Sequence, residues 1–261
     1  MKGQLPPASK PCKGDPMATR LVHMVIDAND VSRLAGFWAA ALGWEVGFDE
    51  PDEAGVWPPG FDYPGPSALP LVFVPVPEPK TGKNRLHLDL ATQSAGHQQE
   101  LVTRLRDLDA TPLDIGQGDV PWVVLADPEG NEFCVLEPRP IYRDTGPVAA
   151  VVVDSWDPVR LASFWALAGG WTAHGQEEGL VRLRSPDEAG PYLEFLPSSD
   201  VKMVKDRVHL DVAPLKPDDH AAATSALLDA GAVRADVGQG DVSWAVLADP
   251  EGNEFCVLSP R

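Results

Sequence analysis

The residues most suited to catalysis or ligand binding form two copies of an Arg-x-His-x-Asp pattern. The two copies comprise Arg85, His87 and Asp89, and Arg207, His209 and Asp211. Because successive side chains of a strand point to opposite faces, each pattern places its polar groups on one face. A third histidine, His23, lies in the apolar segment LVHMVIDA, where alternation puts it on one face with Leu21, Val25 and Asp27. Histidines on equivalent strands can converge on one point, so these polar stripes either line a functional site or face solvent.

A long passage of the chain also occurs twice. GQGDVPWVVLADPEGNEFCVL at residues 116–136 returns as GQGDVSWAVLADPEGNEFCVL at residues 238–258, with only two substitutions. Its DPEG sequence has Pro and Gly where a tight turn requires them, and this predicts the connection of a hairpin. Part of the repeat is therefore a structural turn, and the remaining question is whether its cysteine has a catalytic or metal-binding role.

The strand after the turn carries that cysteine, which is Cys134 in the first copy and Cys256 in the second. Alternation places Cys134 on one face with Glu132 and Leu136, and puts Phe133 on the other face. One of these faces must cover the core, and the pattern alone does not say which.

The repeat extends through most of the chain. The two HLD motifs are offset by 209−87 = 122 residues, and the two copies of the quoted passage keep the same offset, 238−116 = 122. Upstream, DVSRLAGFWAAALGW matches DPVRLASFWALAGGW with an offset of 157−30 = 127, so the first copy has five extra residues. We assign them to residues 47–68, whose Pro, Gly and Asp content predicts a long loop. Asp30 and Asp157 are predicted helix caps, and Gly43 is a predicted helix end.

These signals predict two domains, each with the order strand, helix and strands repeated twice. The predicted organisation is a disordered tail at 1–19, a first domain at 20–138, a linker at 139–147 and a second domain at 148–261. Met17 is an alternative to Met1 as the natural start. The three cysteines are too few and too scattered for a disulfide framework, so we expect free thiols.

Charge and hydropathy exclude several classes of partner. The chain has 39 acidic and 21 basic residues and a formal net charge of −18, which repels nucleic acid and anionic membrane surfaces. No apolar run is long enough for a spanning helix, and residues 1–16 have no apolar core typical of a signal peptide. We therefore expect a cytoplasmic protein that binds neither nucleic acid nor membrane.

The order of elements, the DPEGNEF turn and the FWAAALGW helix together resemble the vicinal oxygen chelate superfamily, which includes glyoxalases, bleomycin-resistance proteins and extradiol dioxygenases. The resemblance implies an α+β fold with two tandem glyoxalase-like domains. Each domain would be a pair of βαβββ modules forming a cupped mixed sheet with helices on the outside. It also implies a small-molecule ligand, often bound with a divalent metal ion.

In metal-dependent members of that superfamily four side chains hold the ion, one from the first and one from the last strand of each module. Carried over by position, the first half offers His23, apolar Val72, His87 and Cys134, and the second half offers Ala150, Glu194, His209 and Cys256. The candidate metal ligands are therefore His23, His87, Cys134, Glu194, His209 and Cys256. Neither half keeps four ligands. A site could also combine modules of both halves, and because the two arrangements give the same ligand types, the sequence leaves this choice open.

Three functions remain as hypotheses. A metal-dependent lyase, isomerase or dioxygenase would use Zn, Fe, Ni or Mn, with Glu194 as the candidate catalytic residue. A non-enzymatic protein would sequester an antibiotic-type compound in a metal-free cup. The aromatic side chains available to contact the compound would be Trp44, Trp57, Trp122 and Trp244. In a third hypothesis one cup is degenerate, since Ala150 replaces His23, and the first is the functional one. The candidate substrate-binding residues are Arg85, Asp89, Trp122, Arg207, Asp211 and Trp244. The chain is expected to be a monomer with internal pseudo-symmetry or a homodimer.

Overall fold

The computed structural model describes residues 19–63, 65, 68–177 and 179–261. The predicted tail, with Cys12 and Met17, lies outside the described residues, except that Thr19 is the buried first residue of a strand. The described chain forms four βαβββ modules, as the sequence predicts. Module 1 contains β1 (Thr19–Ala28), α1 (Val31–Leu42), β2 (Glu45–Glu50), β3 (Glu53–Trp57) and β4 (Leu71–Pro75). Module 2 contains β5 (Leu86–Leu90), α2 (Ala95–Asp107), β6 (Thr111–Pro112), β7 (Val123–Ala126) and β8 (Glu132–Val135).

The second half of the chain repeats this order. Module 3 contains β9 (Val148–Ser155), α3 (Pro158–Gly169), β10 (Thr172–Glu177), β11 (Leu180–Arg184) and β12 (Tyr192–Pro197). Module 4 contains β13 (Val208–Pro214), α4 (His220–Asp229), β14 (Val233–Arg234), β15 (Ala245–Ala248) and β16 (Glu254–Val257). No helix of the described residues is long and apolar enough to cross a membrane.

The four modules form two mixed eight-stranded sheets, and each sheet combines both halves of the chain. Sheet A has the order β14-β15-β16-β13-β1-β4-β3-β2, and sheet B has the order β10-β11-β12-β9-β5-β8-β7-β6. The joins are antiparallel pairs, β1 with β13 in sheet A and β5 with β9 in sheet B. Modules 1 and 4 therefore share one sheet, and modules 2 and 3 share the other. The strand pairing therefore brings residues of both halves together on each sheet, which is one of the two arrangements that the sequence left open.

Local signals place the helices α1 and α3. The side chain of Asp30 accepts a hydrogen bond from the backbone N–H of Arg33 and caps α1, and Gly43 ends the helix with φ of 66°. Asp157 caps α3 in the same way, with Pro158 at the first helical position. These three predictions of the sequence are confirmed.

Both helices pack against one continuous apolar core. Trp38 of α1 lies 5.1 Å, between ring centres, from Phe133 of sheet B, and Trp165 of α3 lies 5.3 Å from Phe255 of sheet A. Each helix therefore contacts the sheet that its own module does not enter. Phe133 and Val135 belong to this helix-side core, and this identifies the opposite face, with Cys134, as the face away from the helices.

The prediction of a long loop at residues 47–68 was wrong for its first part. Residues 45–57 form the hairpin of β2 and β3, and only the residues after Trp57 form a loop. β2 is an edge strand whose side chains are mostly exposed. Its acidic residues are therefore explained by exposure to solvent and do not indicate irregular structure. The buried Ala54 and Val56 were the available signal of a strand.

The predicted face of Leu21 was also wrong. The register of β1 against β13 shifts between Leu21 and His23, so a bulge at Val22 interrupts the alternation. Leu21 consequently packs in the helix-side core with Met24, whereas His23 lies on the opposite face. The predicted linker 139–147 contains a short 3-10 helix, Pro140–Tyr142, and Tyr142 is buried.

Two buried arginine–glutamate pairs join the modules. The guanidinium of Arg207 donates to the carboxylate of Glu129 at 2.9 Å and to the carbonyl of Asp27 at 2.9 Å. The same carboxylate accepts the backbone N–H groups of Asn29 and Asp30 at the start of α1. One glutamate in a turn of module 2 thus ties module 1 to module 4. Removing one partner of such a buried pair costs about 3–5 kcal/mol, because the other charge stays buried.

The second pair, Arg85 with Glu251, has the same role for module 3. Arg85 donates to the carboxylate of Glu251 at 3.1 Å and to the carbonyl of Asp154 at 2.7 Å. Glu251 also accepts the backbone N–H groups of Trp156 and Asp157, where α3 begins. The repeated DPEG turn is therefore a joint between modules as well as a hairpin connection.

We expect either half alone to fail as a monomer. Residues 19–138 hold β1 and β5, but their antiparallel partners β13 and β9 lie in the other half. The unpaired edges should drive aggregation or homodimer formation. Size-exclusion chromatography with light scattering, on each half and on the two halves co-expressed, measures this. A monomeric half with a cooperative unfolding transition would contradict the shared sheets.

A second prediction concerns a buried carboxyl near the module junction. Asp206 borders a cavity of about 530 Å³ that lies away from the His–Asp–Cys residues of both sheets, and its counterpart in module 2 is Asn84, at 206−122 = 84. Burial, together with the neighbouring Glu254, raises the pKa of Asp206 to about 7 against the opposing charge of Lys202. An unfolded Asp titrates near pH ~3.9. The carboxyl therefore lowers the free energy of unfolding as the pH rises from about 4 through about 7.

The substitution Asp206→Asn should consequently raise the free energy of unfolding at pH 8, by on the order of 2 kcal/mol, and by less at pH 5. Urea unfolding at both pH values is the measurement. The chain offers a reciprocal control, Asn84→Asp, which should destabilise the protein more at pH 8 than at pH 5. Equal effects of Asp206→Asn at both pH values would exclude the shifted carboxyl.

Candidate functional site

Each sheet has one face away from the helices, and this face carries a cluster of polar side chains. We call the face of sheet A cup A; its cluster comprises His23, Val72, His209, Asp211 and Cys256. We call the face of sheet B cup B; its cluster comprises His87, Asp89, Cys134, Ala150 and Glu194. The neighbours of these residues along each strand, such as Leu88, Phe133 and Leu210, belong to the helix-side core. Each cup therefore takes its His-x-Asp pair and its cysteine from one half of the chain and its other two positions from the other half.

In cup B, strand register brings three donors together. Asp89 is paired with Cys134 of the neighbouring parallel strand, and His87 lies two residues away on the same face. One donor atom each of His87, Asp89 and Cys134 lies within 4.8 Å of the others. The Nε2 atom of His87 is 3.5 Å from Oδ1 of Asp89, and this buried oxygen has no hydrogen-bond partner among the described residues.

Cup A repeats the three donors but adds a second histidine. His209, Asp211 and Cys256 also lie within 4.8 Å of one another, and Sγ of Cys256 is 3.7 Å from Nε2 of His209. His23 binds the carboxylate, with Nε2 at 2.9 Å from Oδ2 of Asp211. The Nδ1 atom of His23 lies 3.2 Å from the hydroxyl of Tyr63. Cup A is thus a hydrogen-bonded chain of hydroxyl, imidazole and carboxylate beside a thiol.

The thiols are held in their protonated form. Burial raises the pKa of Cys134 well above its usual range, and the carboxylate of Asp89 raises it further. Burial and the carboxylate of Asp211 raise the pKa of Cys256 in the same way. A thiol in such surroundings is a weak nucleophile until a cation displaces its proton.

The two histidines of the repeated pattern differ in the direction of their pKa shift although their strands match. Burial lowers the pKa of both, but in cup B the neighbouring carboxylate of Asp89 outweighs it and raises the pKa of His87. In cup A burial prevails and the pKa of His209 is lowered. In cup A, Asp211 interacts with both His23 and His209. Burial raises the pKa of Asp211, but the two histidines outweigh it and hold this pKa below the usual range.

Glu194 stands on the opposite wall of cup B, two strands from His87. Its Oε1 atom accepts hydrogen bonds from the hydroxyl of Tyr142 at 2.8 Å and from Nε of Arg182 at 2.8 Å. Burial raises the pKa of Glu194, and these two partners oppose the shift. The structure brings Glu194 into the same cup as His87 and Cys134 but outside their three-donor group.

The other residues proposed from the sequence are distributed between the cups and the module junction. Arg85 and Arg207 use their guanidinium groups at the junction rather than in a cup. Trp122 packs on the apolar residues of cup B with the guanidinium of Arg139 5.6 Å from its ring centre. Trp244 is 39% exposed. His23 and His87, both taken from the first half, lie in different sheets.

Several site residues were not predicted. Tyr142 comes from the segment interpreted as a linker, and Tyr63 comes from the loop that only the first half contains. Arg182 and Arg184 come from β11, where VRL alternation between the apolar Val181 and Leu183 was the available signal. Tyr142 and Tyr63 had no local signal, because their place in a cup depends on packing between modules.

The fold with two pairs of βαβββ modules and paired cups defines the vicinal oxygen chelate class of proteins. A family model for the glyoxalase-like domain matches residues 23–136 and 150–258. The chain therefore belongs to the glyoxalase-like domain family, with two copies of the domain.

Solved structures support the fold. Glyoxalase I from Zea mays is 16% identical, with a TM-score of 0.65 over 93% of this chain and 92% of that chain. A candidate dioxygenase from Bacillus subtilis subsp. subtilis str. 168 is 14% identical, with a TM-score of 0.59 over 93% of this chain and 85% of that chain. No curated protein matches the chain significantly. At these identities the likeness concerns the fold, and the chemistry must be argued from the cups.

The protonated thiol of cup B gives a prediction for metal-free protein. In a C12S/C256S background, Asp89→Asn removes one of the two causes that raise the pKa of Cys134, while burial remains. We expect the rate of reaction with a disulfide reagent at pH 8 to rise by about tenfold, which corresponds to about one pKa unit. The matched control is Asp211→Asn in the same background, which alters the carboxylate of cup A and should leave the rate unchanged. Equal rates for the two variants would show that Asp89 does not act on the thiol.

Proposed function

We propose that this protein binds a small organic molecule in cup B together with a divalent metal ion held by His87, Asp89 and Cys134. The observation that carries the proposal is the three-donor group, whose atoms lie within 4.8 Å of one another. The buried Oδ1 atom of Asp89 lacks a hydrogen-bond partner among the described residues. Buried polar atoms without a partner are rare, and a ligand at that position would supply one.

The donor types fit Zn²⁺ or Fe²⁺. Imidazole, thiolate and carboxylate are all ligands of these ions, and three protein ligands leave open positions for a substrate. When bound there, such an ion would act as a Lewis acid on a carbonyl or hydroxyl oxygen of the ligand. An ion bound there would displace the proton of Cys134, since its positive charge offsets the repulsion between the thiolate and the carboxylate of Asp89.

Cup B is favoured over cup A because Asp89 binds no second histidine, although Oδ1 of Asp211 in cup A also lacks a hydrogen-bond partner among the described residues. In cup A, His23 already binds Oδ2 of Asp211 at 2.9 Å. In cup B the equivalent of His23 is Ala150, at 23+127 = 150, whose methyl group makes no polar contact. The same substitution that leaves cup B with fewer ligands therefore leaves it with more room.

Glu194 is the group that we propose for proton transfer in cup B. Its hydrogen bonds from Tyr142 and Arg182 both go to Oε1, so among the described residues Oε2 has no such donor. Burial raises its pKa, which brings a carboxylate closer to the range in which a general base works well at neutral pH. The reaction class that these groups fit is a metal-assisted lyase, isomerase or dioxygenase reaction.

One observation favours a second candidate function. The thiols of both cups are held protonated by burial and by a neighbouring carboxylate, and this opposes metal binding. A protein that sequesters a small molecule in a metal-free cup needs no thiolate. Metal stoichiometry separates the two functions directly.

The test is a zinc titration of tag-free protein by isothermal titration calorimetry, with metal content confirmed by mass spectrometry. We expect one tight site in cup B, and each of His87→Ala, Asp89→Asn and Cys134→Ser should weaken it at least about tenfold. The matched variants His209→Ala, Asp211→Asn and Cys256→Ser report on cup A and should leave that site intact. Protein that takes up no metal would leave sequestration as the function, and a site lost only with the cup A variants would overturn the choice of cup B.

A further inference from the structure

Cup B contains a buried arginine whose charge has no partner. Arg184 is 5% exposed, at the end of β11. Its neighbours Val181 and Leu183 pack in the helix-side core, so Arg184 faces cup B. Its guanidinium carbon lies 4.3 Å from the ring centre of Tyr192, which belongs to the apolar cluster of the same cup.

Among the described residues, no carboxylate lies within ion-pair distance of Arg184, and its buried Nε atom has no hydrogen-bond acceptor. The two other arginines of the cup are satisfied, because Arg182 binds Glu194 and Glu177 while Arg139 binds Glu137. Burial of a charge without a counter-ion is unfavourable. Arg184 is therefore the one cation of this wall, within the described chain, that an external anion could pair with.

Cup A has no equivalent of this wall. The counterpart of Arg184 is Trp57, at 184−127 = 57, and the counterpart of Tyr192 is Pro70, at 192−122 = 70. Arg182 likewise corresponds to Gly55, at 182−127 = 55. The two cups share their donors but differ at these positions of the opposite wall, where only cup B has arginines.

Strand register gives the separation between Arg184 and the three-donor group. Asp89 pairs with Ala150, and Ala150 pairs with Tyr192, on whose ring Arg184 lies. Two strand spacings make about 10 Å from Asp89 to Tyr192 along the sheet. Ala150 lies between them, fully buried in one apolar cluster with Tyr142 and Tyr192, so a ligand in this span has to displace the ring of Tyr142. This span suits a small organic acid, with one end at Arg184 and the other at the donors.

We infer that cup B binds a small organic monoanion whose carboxylate pairs with the guanidinium of Arg184, and whose remainder lies over Ala150 toward His87 and Asp89. The planar fork of an arginine matches a carboxylate through two parallel hydrogen bonds, and the stacked ring of Tyr192 fixes its orientation. The inference specifies the class of ligand that the site of the proposed function binds. It rests on the proposed function only for the metal site, which the other end of the ligand would contact.

The test uses benzoate as the probe and benzamide as its neutral analogue of the same shape, both titrated calorimetrically into full-length protein freed of metal with a chelator. Benzoate should bind saturably and benzamide at least tenfold more weakly. Arg184→Gln should weaken benzoate binding at least tenfold, and Arg184→Lys should restore part of it, since lysine keeps the charge but not the fork. The matched control is Trp57→Phe, at the equivalent position of cup A, and it should leave benzoate binding unchanged.

A second readout separates ligand binding from a structural role. Arg184→Met keeps the length of the side chain and removes the unpaired charge, so its melting temperature should not fall, although its benzoate affinity is lost. A lowered melting temperature with unchanged benzoate binding would overturn the inference, as would equal binding of benzoate and benzamide or no saturable binding of either. Because benzoate is titrated into metal-free protein, a negative zinc titration does not affect the benzoate result. Conversely, a negative result for Arg184 does not affect the zinc titration.

Discussion

The arrangement of both cups depends on a glutamate buried in a turn. Glu129 sits in the DPEG turn of module 2, yet its carboxylate binds the N-terminus of α1 in module 1 and Arg207 of module 4. Glu251 in the turn of module 4 repeats this contact with the start of α3 in module 3 and with Arg85 of module 2. Because Arg207 and Arg85 lie two residues before His209 and His87, the same contacts fix the strands that carry the donors. The arginine of each Arg-x-His-x-Asp pattern thus positions its strand, while the histidine and aspartate face the cup.

The two cups show how one donor set can be placed in different surroundings. Each has a histidine, an aspartate and a cysteine in equivalent positions. In cup A a second histidine occupies the aspartate and a tyrosine from the inserted loop completes the chain of hydrogen bonds. In cup B an alanine leaves the aspartate open, and arginines with a glutamate form the opposite wall. The pKa of the repeated histidine is raised in cup B and lowered in cup A, so the surroundings also change its affinity for a proton.

Much of this architecture could be predicted from the sequence because its signals are local. Alternation placed His87 and Asp89 on one face of their strand, caps placed α1 and α3, and the offset of 122 residues revealed the duplication. The pairing of modules could not be predicted, since both arrangements give the same ligand types. The face of Leu21 was missed because a bulge has no marker in an apolar run, and the β2–β3 hairpin was missed because an exposed edge strand has the composition of a loop. Tyr63 and Tyr142 reach their cups through contacts between distant segments, which no local pattern encodes, whereas alternation in β11 was the available signal for Arg184.

The sharing of each sheet between the two halves has a consequence for how such a protein can evolve. In a symmetric dimer of single-domain chains, any substitution appears in both sites. Here modules 1 and 3, which supply the walls, are separate stretches of one gene, so a change in either alters a single cup. Modules 2 and 4, which supply the histidine, aspartate and cysteine, have remained nearly identical along residues 116–136 and 238–258. Joining the two copies in one chain thus allows one cup to acquire a new ligand while the other keeps its own.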